Sequence, residues 1–377
     1  MMKKTLIALA IASAVSAPAF AATSNVDIYG VLNLSVNYTD PDANQPALAT
    51  TGTGGQDTSF GLASNASRIG FKGAEDLGGG LAAIWQIESG LNIDEQSGTL
   101  ASRNSYVGLK GGFGTVLMGN HDTPMKLLGR MVDNFADTAA DSRNILGAID
   151  TGATAFDLRT KNTVVYVTPN WSGFTMTAAY VADWNNTSTT SNVDSTLGKG
   201  EGLDNNSANA YSLNGVYSNG PLMLGAAYEN HNGFTSNTNS EMWRLVAGYD
   251  IAGFKLAGLY EVMSGTGSTS AQSRDAYGLF ASYGMGAWTF KANYLNANES
   301  DYTQANGVKG NDGADQWTIG ADYSLSKRTI VYGFYTAVSN DTYGGYGLGN
   351  NSAVSDVTVG NLGSSPTAFS MGVKHSF

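Results

Sequence analysis

Few side chains of this chain can do acid–base chemistry near neutral pH: three histidines, His121, His231 and His375, and no cysteine. His121 is followed by Asp122, but neighbours on a strand point to opposite faces, so the pair is badly placed for a proton relay. No G-x-S-x-G, H-E-x-x-H or phosphate-binding loop appears. A hydrolase is therefore only a distant alternative. What the sequence does arrange is charge. Asp133, Asp137 and Asp141 recur every four residues, a helical spacing that would set three carboxylates on one face. Asp122 and Asp150 lie in the same stretch and remain alternatives. Such a row makes an electrostatic surface rather than a reaction centre.

The elements that must carry this charge are strands. In the last eleven residues Phe369, Met371, Val373, His375 and Phe377 share one parity, and Ser370, Gly372, Lys374 and Ser376 the other. A period of two sends these sets to opposite faces. The mostly apolar face, ending on an aromatic, fits a tilted membrane-spanning strand. Comparable alternating segments run from Val26–Tyr38 to the end of the chain, and the terminal strand makes sixteen. Leu222, Leu224, Ala226 and Tyr228 form one apolar row; Trp288, Phe290, Ala292 and Tyr294, and Trp317, Ile319, Ala321 and Tyr323, form two more. Aromatic ends around a small or aliphatic middle are the mark of a lipid-facing band between two girdles.

Connections alternate between short and long. Leu77–Gly80, Gly111–Phe113 and Asn219–Pro221 are turns, whereas Thr39–Asn65, Asn120–Leu158, Trp184–Ala208 and Ser339–Pro366 are long. Short turns inside and long loops outside belong to an up-and-down barrel, and an even count leaves both ends on the periplasmic side. Residues 1–21 read as a secretory leader: Lys3 and Lys4, an apolar centre, then Ala19-Phe20-Ala21. One barrel domain, 22–377, follows. Gly 48 and Tyr 19 are high and Pro 7 is low, which suits strands joined by tight turns. Without Lys3 and Lys4 the chain holds 18 basic against 31 acidic residues, a charge of −13, which argues against nucleic acid.

Ser67-Arg-Ile-Gly-Phe-Lys-Gly73, Ser102-Arg-Asn-Ser-Tyr-Val-Gly-Leu-Lys110 and Gly111-Gly-Phe-Gly-Thr-Val116 resemble the general diffusion porins of Gram-negative bacteria. The opening Val26-Asp-Ile-Tyr-Gly30 and the terminal Phe377 extend the likeness over essentially the whole mature chain. It implies an all-β fold: a sixteen-stranded antiparallel transmembrane barrel with a constriction loop, here about 120–158, folded into the lumen. It implies a homotrimer among outer-membrane lipid and lipopolysaccharide, passing ions and small hydrophilic solutes. No cofactor is implied, and a bound metal ion is left open.

The resemblance also sets Arg68 and Arg103 on the lumen side. Parity agrees, because Ile69 and Phe71 then face lipid while Arg68, Gly70 and Lys72 face water. Arg159, and more weakly Lys161, complete a basic wall at the constriction. Opposite it the resemblance places the acidic loop with Asp133, Asp137 and Asp141, giving a transverse field. The family often carries a basic residue after the first Tyr-Gly pair; this chain has Val31. That substitution and the acidic balance lead to an expectation of modest cation selectivity. A solute-specific channel is the other alternative, disfavoured because the aromatic rows point outward.

Overall fold

The computed structural model describes residues 25–41, 58–95, 97–147, 156–182, 209–232, 239–266, 271–303, 307–349 and 362–377. The leader expected over residues 1–21 lies outside them, as does Asp150. The first strands are β1 (Asn25–Asp40), β2 (Ser59–Ser64), β3 (Arg68–Gly78), β4 (Leu81–Gly90), β5 (Ser105–Gly111) and β6 (Gly114–Asp122). Helix α1 (Pro124–Arg130) precedes β7 (Arg159–Val167), β8 (Phe174–Ala182), β9 (Asn209–Asn219), β10 (Leu222–Asn232) and β11 (Ser240–Ile251). The chain ends with β12 (Phe254–Thr266), β13 (Ala271–Met285), β14 (Trp288–Ala297), β15 (Ala314–Ser324), β16 (Thr329–Asn340) and β17 (Thr367–Ser376).

From β3 onward each strand pairs antiparallel with the next, and β1 closes the ring. Its Val31–Asp40 half pairs with β17, Asn25–Val31 with β3, and Leu34–Thr39 with β2. β2 and β3 are thus two halves of one barrel strand along the same flank of β1. They are separated at Asn65-Ala66-Ser67, where Ala66 adopts a φ of 51°. Counted once, they give sixteen strands. The expected loop over Thr39–Asn65 therefore contains a strand segment. Gly30 and Phe377 exchange two backbone hydrogen bonds of 3.1 Å, so the terminal aromatic completes the seam between the chain's ends. Closure leaves no strand edge to be satisfied in hydrocarbon.

Facing follows parity. Phe369, Met371, Val373 and Phe377 are exposed on the outer wall, as are Phe290, Trp317 and Ile319. Alternate residues turn inward, and many are buried there. Thr318 is one: at 1% exposure it bonds Thr336 (2.8 Å) beneath the inserted loop. An inward side chain is thus not always a wet one. Lys at Ile319 or Phe290 is expected to impair insertion, at roughly 2–4 kcal/mol near the midplane. Lys at half-buried Thr289 is expected to be accepted. Outer-membrane yield and heat-modifiable mobility check this, and equal tolerance at Phe290 and Thr289 would contradict the facing. Thr318 is no such control, because a lysine there meets packed loop instead of water.

Candidate functional site

The loop between β6 and β7 folds inward on a set of apolar side chains that pack against the wall. Met125, Leu128, Phe135, Ala140, Ile145, Leu146 and Phe156 are all essentially inaccessible. They join one apolar cluster with inward residues of β10–β16, among them Met242, Leu259 and Phe334. Burying each large side chain is worth roughly 1.5–3 kcal/mol. Glycines in the wall make room: a Cβ at Gly225 of β10 would collide with Leu128. The loop begins as α1, with Pro124 in its first turn and the Thr123 hydroxyl accepting from the Lys126 N–H at 3.3 Å.

The return limb is held by ions. Arg244 of β11, 1% exposed, donates to both oxygens of Asp157 (2.6 and 2.8 Å) and twice to Glu261 of β12 (2.8 and 2.6 Å). It also donates to the Met125 carbonyl (3.1 Å), and the Gly147 N–H donates to Glu261 (2.7 Å). Both limbs of the loop therefore meet one guanidinium. Next to it His231 pairs with Glu229 at 2.8 Å and stacks on Phe156, ring centroids 4.6 Å apart. His231 therefore lies within the last residues of β10 and is wholly buried.

The three aspartates do not share a helix, since α1 ends at Arg130. Turns bring them together instead. The Asp137 N–H donates to Asp141 (2.8 Å), and Asp133 accepts from the Phe135 and Ser142 N–H groups at 2.9 Å each. The loop also supplies cations of its own. Arg130 bonds Asp137 (2.6 Å) and Asp141 (2.9 Å), and Arg143 clasps Asp141 through two 2.9 Å bonds. From the wall, Arg68 reaches Asp137 at 3.5 Å. Val31 stands directly across from Arg68 in the β1–β3 register.

Arg103 and Arg159 belong to an adjoining group. Arg103 bonds Glu88 at 2.6 Å, and Glu88 also accepts from the Tyr29 hydroxyl at 2.9 Å. Arg159 meets Asp122 at 3.1 Å, and Asp122 also takes Lys126 at 2.9 Å. Lys161 is not part of either group. It sits exposed where the β6–β7 register slips, and among the described residues no ion pair involves it.

These contacts set the loop's titration. Burial would raise Asp141, but Arg143 and Arg130 outweigh it and hold the carboxyl far below its ordinary range. Burial likewise opposes ionisation of Asp137, and Arg130 overcomes it. Asp133 goes the other way, pushed up to about 6 by burial and by the neighbouring Asp141 carboxylate. Burial brings Lys126 down to about 8, still protonated at neutral pH. Acidification through pH 6 thus neutralises Asp133 while Asp137 and Asp141 stay ionised, and the site gains positive charge. The zero-current potential in a salt gradient is expected to move toward anion preference between pH 7.5 and pH 5. Asp133→Asn is expected to remove that movement.

The sign of the local charge can be read from the groups just placed. Around Asp137, Arg68, Arg130 and Arg143 are joined by Lys291 and Lys374, and they oppose Asp133, Asp137, Asp141 and Asp322. That is five cations against four carboxylates. Around Asp122, Arg103, Lys126 and Arg159 oppose Glu88 and Asp122, three against two. Together the two groups are net positive by two charges, in a chain whose formal charge is −11.

A family model described as Gram-negative porin matches residues 7–343. The major outer membrane protein P.IB of Neisseria meningitidis serogroup B is 30% identical over 344 residues, spanning 87% of this chain and 91% of the relative. Outer membrane porin protein 32 of Delftia acidovorans is 30% identical over 388 residues and 100% of both chains. Among solved structures, an anion-selective porin from Comamonas acidovorans superposes with a TM-score of 0.75 at 26% identity, covering 94% of this chain and all of that one. With strands, closure and inserted loop all in agreement, the chain belongs to the Gram-negative porin family, and is an outer-membrane channel for passive diffusion of ions and small hydrophilic solutes.

Proposed function

We propose that this channel prefers anions, with Arg68, Arg103 and Arg159 of the wall and Arg130 and Arg143 of the loop as the residues that set the preference. The observation that carries the reading is the net positive constriction inside an acidic protein. At physiological ionic strength charges beyond about 8 Å are screened, so the groups at the narrowing outweigh distant loop carboxylates. Asp133, Asp137 and Asp141 are then not a free acidic wall: the loop's own arginines largely neutralise them. The expectation of cation selectivity is replaced for that reason. Likeness to a porin described as anion-selective supports the same sign.

The functional unit is a homotrimer in outer-membrane lipid and lipopolysaccharide. A closed barrel offers no strand edge, so its copies associate through their apolar walls. Catalysis is not part of this reading. His231 is sealed beneath Phe156, and the His121 ring bonds the backbone oxygen of Asp122 (2.8 Å) instead of a nucleophile.

Swelling of liposomes carrying the protein tests the charge preference: a small carboxylate is expected to enter faster than an ammonium of equal size. The reverse order would contradict it. Unheated detergent electrophoresis tests assembly, and a mobility unchanged by boiling would count against the trimer.

A further inference from the structure

We propose that residues 341–349, the described outgoing limb of the last external loop after β16, are a second inserted element that restricts the external vestibule by size, in series with the charged constriction.

In this loop Gly344, Gly345, Tyr346, Gly347 and Leu348 are consecutive and all buried, although the loop leaves the strand that faces the exterior. Tyr346 and Leu348 are at 0% and 1% exposure. They belong to the same apolar cluster as Ile145, Leu146 and Phe156 of the constriction loop. A polar connection lying outside the barrel would bury none of these.

The segment is also held in place. Asn340, the last residue of β16, donates from Nδ2 to the Tyr346 carbonyl and accepts the Tyr346 N–H through Oδ1, both at 2.8 Å. The same amide donates to the Ser364 carbonyl at 2.8 Å, so one side chain gathers the outgoing and returning limbs. The Gly363 N–H donates to the Gly344 carbonyl (2.8 Å), and the Tyr343 N–H to Asn311 (2.8 Å) in the preceding external loop. Arg274 of β13 lies over the Tyr346 ring, 5.2 Å from its centre. Glycine is required for this packing: a Cβ at Gly344 would stand 2.6 Å from the Gly313 carbonyl.

Gly344–Gly349 brings backbone, one ring and one aliphatic side chain into the mouth, and no charge. It therefore excludes by volume, whereas the deeper arginines discriminate by sign. This inference rests on the diffusion-channel reading and is independent of the anion preference.

Three variants test it in planar bilayers and swelling liposomes: deletion of residues 343–349, Asn340→Ala and Tyr346→Ala. Heat-modifiable mobility identifies the folded ones, and the two point variants keep the loop's length should the deletion fail to fold. Single-channel conductance is expected to rise about twofold for the deletion and less for the point variants. Neutral di- and trisaccharides are expected to enter faster, with the zero-current potential unmoved. Folded variants with wild-type conductance and sugar permeation would overturn the proposal. So would a shifted potential at unchanged conductance, because the loop would then act through the field.

Discussion

Replacing Arg68 and Arg103 together by Ser is expected to enlarge the single-channel conductance and to abolish the anion preference. The change takes the constriction from two net positive charges to none. A unit charge 8 Å away in water is worth roughly 0.5 kcal/mol, and screening over one Debye length cuts this to roughly 0.2 kcal/mol. Because each lost cation attracts anions less and repels cations less, two such losses lower the anion-to-cation ratio about three- to fourfold. The opposite exchange, Asp133→Asn with Asp137→Asn, is expected to sharpen the preference by a similar factor. Wall and loop thus push the same measurement in opposite directions, which a general loss of structure would not do.

Arg244→Ala is expected to be the most damaging single change to the inserted loop. It leaves Asp157 and Glu261, at 4% and 0% exposure, as buried carboxylates without their cation. Breaking a buried pair from one side typically costs 3–5 kcal/mol. The barrel's own hydrogen bonds do not depend on Arg244, so the cost falls on the loop. Noisy, larger currents and new protease cleavage between residues 123 and 158 are the expected readouts, in barrels that still fold. Arg244→Lys keeps the charge but not the fork that serves two carboxylates and a carbonyl, and should fall between. Quiet currents of wild-type size from Arg244→Ala would show that the apolar contacts alone hold the loop.

The barrel was legible because its rule is local. Alternation along Trp317–Tyr323 or Phe369–Phe377 needs only a period of two, and those rows face outward as parity requires. The lumen was less legible, because inward positions are sorted by what folds over them. Thr318 and Thr289 both face inward, yet only the first lies beneath the inserted loop. The helical placement of Asp133, Asp137 and Asp141 failed because Asp133 and Asp141 spend their oxygens on backbone N–H groups of turns, an alternative open to short acidic side chains. Arg130 and Arg143 flank those aspartates in sequence, and that adjacency was the available sign that the loop neutralises its own carboxylates. The apolar run Met125–Leu128 and Met131–Phe135 was the available sign that this loop folds inward, and Tyr346 with Leu348 was the same sign for the last loop. Lys161 drew attention by its charge alone, and the register slip beside it could not be read without the partner strand.

The sign of ion selectivity at neutral pH is the decisive quantity. The direct measurement is the zero-current potential of the purified protein in a planar bilayer under a tenfold potassium chloride gradient. Potassium and chloride diffuse almost equally fast in water, so the sign reports the pore. A potential of the sign set by chloride flow, declining toward zero in Arg68→Ser with Arg103→Ser, is the expected result. A potassium-selective potential in the wild type, unchanged by those substitutions, would contradict the assignment of these arginines as the charge filter.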